Sequence, residues 1–157
     1  MKINLCRIDD RLIHGQVATV WAHEANAGRI IVCSDEVAND TIRKTLVLQV
    51  GPPGIKVSVV DIEKAIRVYN NPKYEQDTVF FLFVCPQDVL KMIEGGVPIK
   101  SVNIGGMAFK EGKKQITKAV SIDDVDREAF QKMHELGVEL EIRPIVNDAK
   151  IDIMSKL

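Results

Sequence analysis

A chain of 157 residues, 46% hydrophobic and 27% charged, has the make-up of an ordinary globular domain with one core. Its formal net charge of −1 argues against a polyanionic partner such as nucleic acid. No apolar run reaches the roughly 18 residues of a membrane helix, and the N-terminus lacks the apolar region of a signal peptide, so a cytoplasmic protein is expected.

Strand-like apolar runs alternate with helical stretches. Residues 3–8 read as the first strand, interrupted by Asn4 and Arg7. A helix follows from Gly15 to about Asn26, with Ala27-Gly28 as its C-cap. Residues 29–33 are a second strand, and Ser34 or Asp35 caps a long helical pattern over residues 37–50. Gly51-Pro52-Pro53-Gly54 is a stiff turn before a third strand at 56–60. Asp61 caps a short helix to Tyr69, and residues 70–77 are a polar loop.

Residues 78–84 are almost wholly apolar, as in a strand buried on both faces. Pro86 suits the first turn of a helix that runs to about Glu94. A fifth strand, 101–104, leads into Gly105-Gly106-Met107, and residues 110–114 are a charged turn before a short strand at 117–122. Asp123 or Asp124 opens the last clear helix, which ends near Leu136-Gly137, and residues 138–143 form a final strand. This alternation predicts an α/β fold in a single domain over residues 1–157. Its sheet is doubly wound and mostly parallel, with helices on both faces.

Cys6, Cys33 and Cys85 sit in or beside apolar runs without metal-ligand spacing, so they read as buried, reduced thiols. His23 and His134 fall inside predicted helices without reactive neighbours and read as structural or surface residues. Trp21 reads as core or interface packing.

The chemistry concentrates in Arg7-Ile8-Asp9-Asp10-Arg11-Leu12-Ile13-His14-Gly15-Gln16-Val17. His14 should lie in a strand-to-helix turn, where unpaired N–H groups and the helix dipole favour an anion. An arginine three residues before it suits a carrier of a phosphoryl group. A hydrogen-bonded turn histidine is the alternative for His14, and a surface arginine paired with Asp9 or Asp10 is the alternative for Arg11. A third possibility is a hydrolytic metal site built on His14 and Asp10, for which the ligand set is sparse. A non-catalytic module that binds an anionic metabolite at the first helix also fits the residues.

The same eleven residues resemble the IIB component of the bacterial phosphoenolpyruvate-dependent sugar phosphotransferase system, in its mannose/fructose/sorbose family. Ser34-Asp35-Glu36-Val37-Ala38, Pro52-Pro53-Gly54 and Asn103-Ile104-Gly105-Gly106-Met107 extend the resemblance along the chain. It implies that His14 accepts a phosphoryl group on Nδ1 from a phosphohistidine of a IIA protein. The group would then pass to a sugar delivered by the membrane components IIC and IID. IIA would be a separate protein, and the carrier would sit at the inner face of the membrane.

Within that reading Arg11 stabilises charge on the phosphoryl oxygens. Backbone N–H groups at Ile13, Gly15 and Gln16 bind the phosphate, and Gly15 permits close approach. Asp10 orients the imidazole or holds the loop, since a carboxylate aimed at the phosphoryl group would repel it. Asp9 is structural. Gly105-Gly106 either admits backbone to the site or makes a simple turn, Ser34-Asp35 is chiefly a helix cap, and Met107 with Phe109 forms an apolar docking rim. No metal and no cofactor are expected. Mannose, glucose, fructose, sorbose and amino sugars all fit, and a homodimer is favoured over a monomer.

Overall fold

The computed structural model describes the backbone of all 157 residues and every side chain apart from those of residues 16 and 17. The strands are β1 (Lys2–Asp9), β2 (Arg29–Cys33), β3 (Lys56–Val60), β4 (Thr78–Phe83), β5 (Ser101–Gly106), β6 (Lys114–Thr117), β7 (Val120–Ile122), β8 (Glu139–Ile142) and β9 (Ile151–Asp152). The helices are α1 (Gly15–Ala25), α2 (Asp35–Ala38), α3 (Thr41–Gln49), α4 (Ile62–Asn70), α5 (Pro86–Glu94) and α6 (Asp124–Glu135). One sheet of seven strands runs in the order β3-β2-β4-β1-β5-β8-β9, and β6 and β7 form a separate antiparallel hairpin. Every pairing in the large sheet is parallel except β8 with β9.

Alternation along β4 explains why this strand reads as continuously apolar. Phe80 and Leu82 join Trp21, Ala22, Val37 and Val47 in a cluster on one face. Val79, Phe81 and Phe83 join Ala65, Val89, Met92, Phe130 and Met133 on the other. The chain therefore leaves β1 over one face through α1. It leaves both neighbours of β1, β4 and β5, towards α5 and α6 on the opposite face. The carboxyl end of β1 is a topological switch point, where open α/β sheets bind ligands.

Four local expectations change in the structure. The left-handed C-cap of α1 is Asn26 (φ 51°, ψ 44°), a residue type that tolerates this conformation, and not Ala27-Gly28. The pattern over residues 37–50 is broken into α2 and α3, because the Asp40 carboxylate accepts from the Arg43 N–H and starts a new helix. The single strand expected at 117–122 is the β6–β7 hairpin, turning at Lys118-Ala119. Gly105 and Gly106 lie inside β5. The tail resolves into β9 and a 3-10 turn at Ile153–Lys156, and a second such turn, Pro72–Tyr74, sits in the loop before β4.

Cys6 and Cys33 are buried and Cys85 is half-buried at the start of α5; all three are free thiols. Burial pushes the Cys85 thiol up to about 12.

Asp126 anchors the segment that returns from β5. Its carboxylate closes a capping box with Asp123 at the start of α6, and it accepts from Gln87 Nε2 at 2.7 Å and Lys113 Nζ at 2.9 Å. Burial pushes the carboxyl up, but the hydrogen bonds from Gln87 and Lys113 outweigh it and hold the group below the usual carboxylate range. A lowered folded-state value contributes stability above the unfolded value, and that stability is lost as pH falls through the folded one. Unfolding free energy should thus fall as pH drops below about 4. Lys113→Met should reduce stability at neutral pH by about 2 kcal/mol and flatten the acid limb, read by urea unfolding across pH.

Candidate functional site

The loop between β1 and α1 is held from below by apolar side chains. Asp9 to Leu12 make a turn closed by the Leu12 N–H to Asp9 carbonyl hydrogen bond at 2.9 Å. Leu12 adopts φ +61°, strained for a side chain with Cβ, and the Leu12 and Ile13 side chains are buried in the cluster under α1. That burial offsets the strain and places His14 at the N-cap of α1.

A buried carboxylate organises the polar groups. Asp9 is fully buried, and its Oδ2 lies 3.2 Å from Arg7 Nη2. Arg11 grips the same carboxylate with two prongs, Nε to Oδ1 at 3.0 Å and Nη2 to Oδ2 at 3.1 Å, and donates its own N–H to Oδ1. One carboxylate thus faces two guanidinium groups, and these three side chains carry one net positive charge beside the Asp10 carboxylate, which also acts on Arg11. Hydrogen bonding to Asp9 pushes Arg11 up, whereas burial lowers Arg7 to about 10, so both stay charged at neutral pH.

Arg7 spends its remaining donors on other elements. Nη1 bonds Asn103 Oδ1 on β5 and, at 3.1 Å, the Arg143 carbonyl; Nη2 bonds the Pro144 carbonyl at 2.9 Å. Its guanidinium carbon sits 4.5 Å from the centre of the Trp21 ring, and that of Arg143 sits 5.4 Å from it. Trp21 Nε1 also donates to the Pro144 carbonyl, at 3.1 Å. A Cβ on Gly105 would fall 1.9 Å from Arg7 Nη2, so this glycine exists to admit a guanidinium.

His14 is half-buried. Its Nδ1 lies 2.9 Å from the Leu12 carbonyl, and Nε2 is shielded from solvent with no hydrogen-bond partner among the described residues. Nδ1, the atom that the resemblance assigns to the phosphoryl group, is therefore engaged in this conformation. Of the two roles expected for Asp10, the contacts fit the holding of the loop. Asp10 Oδ2 accepts the Ala108 N–H at 2.7 Å, its N–H donates to the Gly106 carbonyl, and its carbonyl accepts from Arg43. The orienting contact on the imidazole comes from Leu12 instead.

Among the described residues the N–H groups of Ile13 and Gly15 donate no hydrogen bond within the protein. Gln16, whose backbone N–H is the third expected donor, is the second residue of α1, and its side chain lies outside the described residues. The Arg11 side chain is 53% exposed. It lines a cavity of about 230 Å³ with Asp10, Gly106, Met107, Ala108 and Pro144.

The remaining predicted residues separate cleanly. Trp21 is core. His23 and His134 are exposed. Ser34 caps α2 by accepting the Val37 N–H, and Asp35 accepts the Ile62 N–H at the start of α4. The expected apolar rim is halved, because Met107 is 3% exposed and bridges to Val120, while Phe109 is 68% exposed. Sequence reasoning missed the network of Arg7, Asn103, Gly105 and Arg143. Its visible signal was Arg7 itself, a charge inside the apolar run of a central strand.

A doubly wound α/β protein with a histidine at a helix N-cap, over the switch point and beside an exposed guanidinium, has the geometry in which such folds bind anions. Comparison narrows it. The family model of the PTS system sorbose subfamily IIB component matches residues 3–157. The sorbose-specific EIIB component of Klebsiella pneumoniae is 55% identical over 157 residues, covering all of this chain and 96% of that protein. The mannose-specific EIIAB component of Escherichia coli K12 is 58% identical over 160 residues, and this chain spans 50% of its length. The crystal structure of the IIBSor domain of the sorbose permease from Klebsiella pneumoniae superposes with a TM-score of 0.98 at 56% identity, covering 99% of this chain and 96% of that one. The chain belongs to the IIB components of the mannose/fructose/sorbose family of the sugar phosphotransferase system.

Gly105→Ala should destabilise the fold by about 3 kcal/mol, because the new methyl group collides with a buried guanidinium that has nowhere to go. Gly28→Ala, where the nearest atom is an ordinary 3.7 Å away, should shift stability by less than about 1 kcal/mol. Paired thermal unfolding curves check the contrast.

Proposed function

We propose that His14 is the phosphoryl carrier of this IIB component. A lone pair of the His14 imidazole attacks the phosphorus of a phosphohistidine on a IIA protein, and the bond from phosphorus to the donor nitrogen breaks. The second transfer, to a hydroxyl of a sugar held by membrane components IIC and IID, releases His14 and a sugar phosphate. The hydroxyl proton ends on the released imidazole and replaces the one that His14 gave up to the departing donor imidazole in the first transfer. Candidate sugars are those in the names of the relatives: sorbose, mannose and fructose.

The observation that carries this reading is the placement of His14 at the N-cap of α1, three residues from a guanidinium that is in excess over its carboxylate. Asp9 takes only part of the five-donor fork of Arg11, and the other N–H groups suit the equatorial oxygens of a loose phosphoryl transition state. The N–H groups of Ile13 and Gly15 support a second set of contacts. Asp10 turns its carboxylate to the Ala108 N–H, and its charge acts on the Arg11 guanidinium. For carriage on Nδ1 the ring first leaves the Leu12 carbonyl. A side-chain rotation does this for one hydrogen bond, worth about 1 kcal/mol net.

No helix among the described residues is long and apolar enough to cross a membrane. On the carrier reading the protein would meet its donor in the cytoplasm and its acceptor at the membrane face of IIC and IID. The mannose-specific EIIAB relative, in which a chain of this kind fills 50% of the length, supports a IIA partner.

The test uses purified protein, phosphoenolpyruvate, the two general phosphotransferase proteins and a matching IIA protein, followed by intact mass. Wild type should gain one acid-labile phosphoryl group, and His14→Gln should gain none. Wild type that stays unmodified beside a phosphorylated IIA protein would overturn the carrier reading.

A further inference from the structure

The Arg7 side chain is almost fully buried, yet β5, α1 and the segment after β8 are arranged around it. β5 gives up a side chain at Gly105 to admit it. Asn103 and the Arg143 and Pro144 carbonyls satisfy its donors. Trp21 faces it at 4.5 Å. Holding the sheet together does not require a charge here, since buried ion pairs are commonly replaceable by apolar side chains of similar volume without loss of stability. The charge has a different consequence. Asp9 and Arg11 alone would form a neutral pair, and a neutral pair offers little to an incoming phosphoryl group. With Arg7 present the three side chains carry one net positive charge, and only Arg11 is exposed enough to present it. The Arg7 charge lies in the interior, where salt screens it much less than an exposed charge.

We propose that Arg7 is a positioning residue for phosphoryl transfer: by neutralising the buried Asp9 carboxylate, it leaves the positive charge of Arg11 to the phosphoryl group. This rests on the carrier reading of His14. Other charges surround the trio: the Asp10 carboxylate, which also acts on Arg11, Arg43, which pairs with Glu36 at 3.7 Å, and Arg143 over the Trp21 ring. None of them is bonded to Asp9, so none takes the place of Arg7 beside that carboxylate.

The test compares wild type, Arg7→Met and the double variant Arg7→Met/Asp9→Asn. Phosphoryl transfer from a phosphorylated IIA protein is followed as a function of IIA concentration, with rates normalised to the folded fraction. Arg7→Met removes the excess charge and should lower kcat by about 10- to 100-fold, with KM for IIA unchanged. The double variant restores one net positive charge, keeps an acceptor for Arg11 on the Asn oxygen, and should recover kcat to within about tenfold of wild type. A merely structural arginine would give no such recovery. An unchanged kcat in Arg7→Met, or a double variant no faster than the single one, overturns the proposal. If Arg7→Met shows no cooperative melt, the double variant decides alone: a loss larger than about tenfold overturns the proposal, and a smaller one supports it. Wild type that takes up no phosphoryl group overturns the carrier reading and this proposal with it. Wild type phosphorylated at His14, with Arg7→Met as fast, overturns this proposal alone.

Discussion

The rest of the structure depends on a carboxylate, Asp9, buried at the carboxyl end of the central strand. A buried carboxylate left alone would be penalised by several kcal/mol. The chain brings two arginines to it, one from within the sheet and one from the turn above. Bringing Arg7 inside in turn requires acceptors for its other N–H groups and room for its plane. Those needs account for residues that lie far apart in the chain: Asn103, Gly105, Trp21 and the carbonyls after β8. Each looks local in isolation, and each is set by the same buried charge.

The frame that results is stiff, and what it presents is less so. β1, β5, α1 and the segment after β8 are cross-linked through Arg7, and Asp10 ties the Ala108 segment to the same loop. Leu12 and Ile13 pull the loop into the core at the expense of a left-handed Leu12. The imidazole of His14, by contrast, is held by one described hydrogen bond, to Leu12. Groups that must be positioned are over-determined, while the group proposed to meet two partners in turn has a side chain that one broken hydrogen bond releases.

Much of the fold was legible because its physics is local. The apolar run of β4, the Asp61 and Asp123 caps and Pro86 at the start of α5 announce their elements through burial and N–H capping, which neighbouring residues decide. The errors fall where two local rules compete. Asp40 interrupts a helical pattern that hydrophobic spacing alone would continue, and Asn26 takes the cap expected of a glycine two residues on. The site divides in the same way. The loop from Arg7 to Gln16 is legible as one cluster of reactive side chains. The use of Gly105 was not, because its reason is a guanidinium 98 positions earlier in the chain, and only the pairing of β1 with β5 brings the two together. The burial of Met107 beside an exposed Phe109 likewise follows from the bridge to Val120, a contact that the composition of the loop does not announce.

One excess positive charge is also a sensible amount for a carrier. A group that accepts a phosphoryl and then gives it away gains nothing from a deep well, because interactions equally strong before and during transfer do not speed the step. A site with several unpaired guanidiniums would hold the phosphorylated state too firmly, and a neutral one would leave the charge of the transition state to water. Here the balance is struck by pairing: Asp9 cancels one of two arginines, and the uncancelled charge resides on a side chain that is 53% exposed and therefore partly screened. On the proposed reading the site would attract an anion without trapping it, in a chain whose overall charge of −1 offers no long-range pull of its own. Recognition of partners must then come from contact at short range, around the loop that Asp9 holds in place.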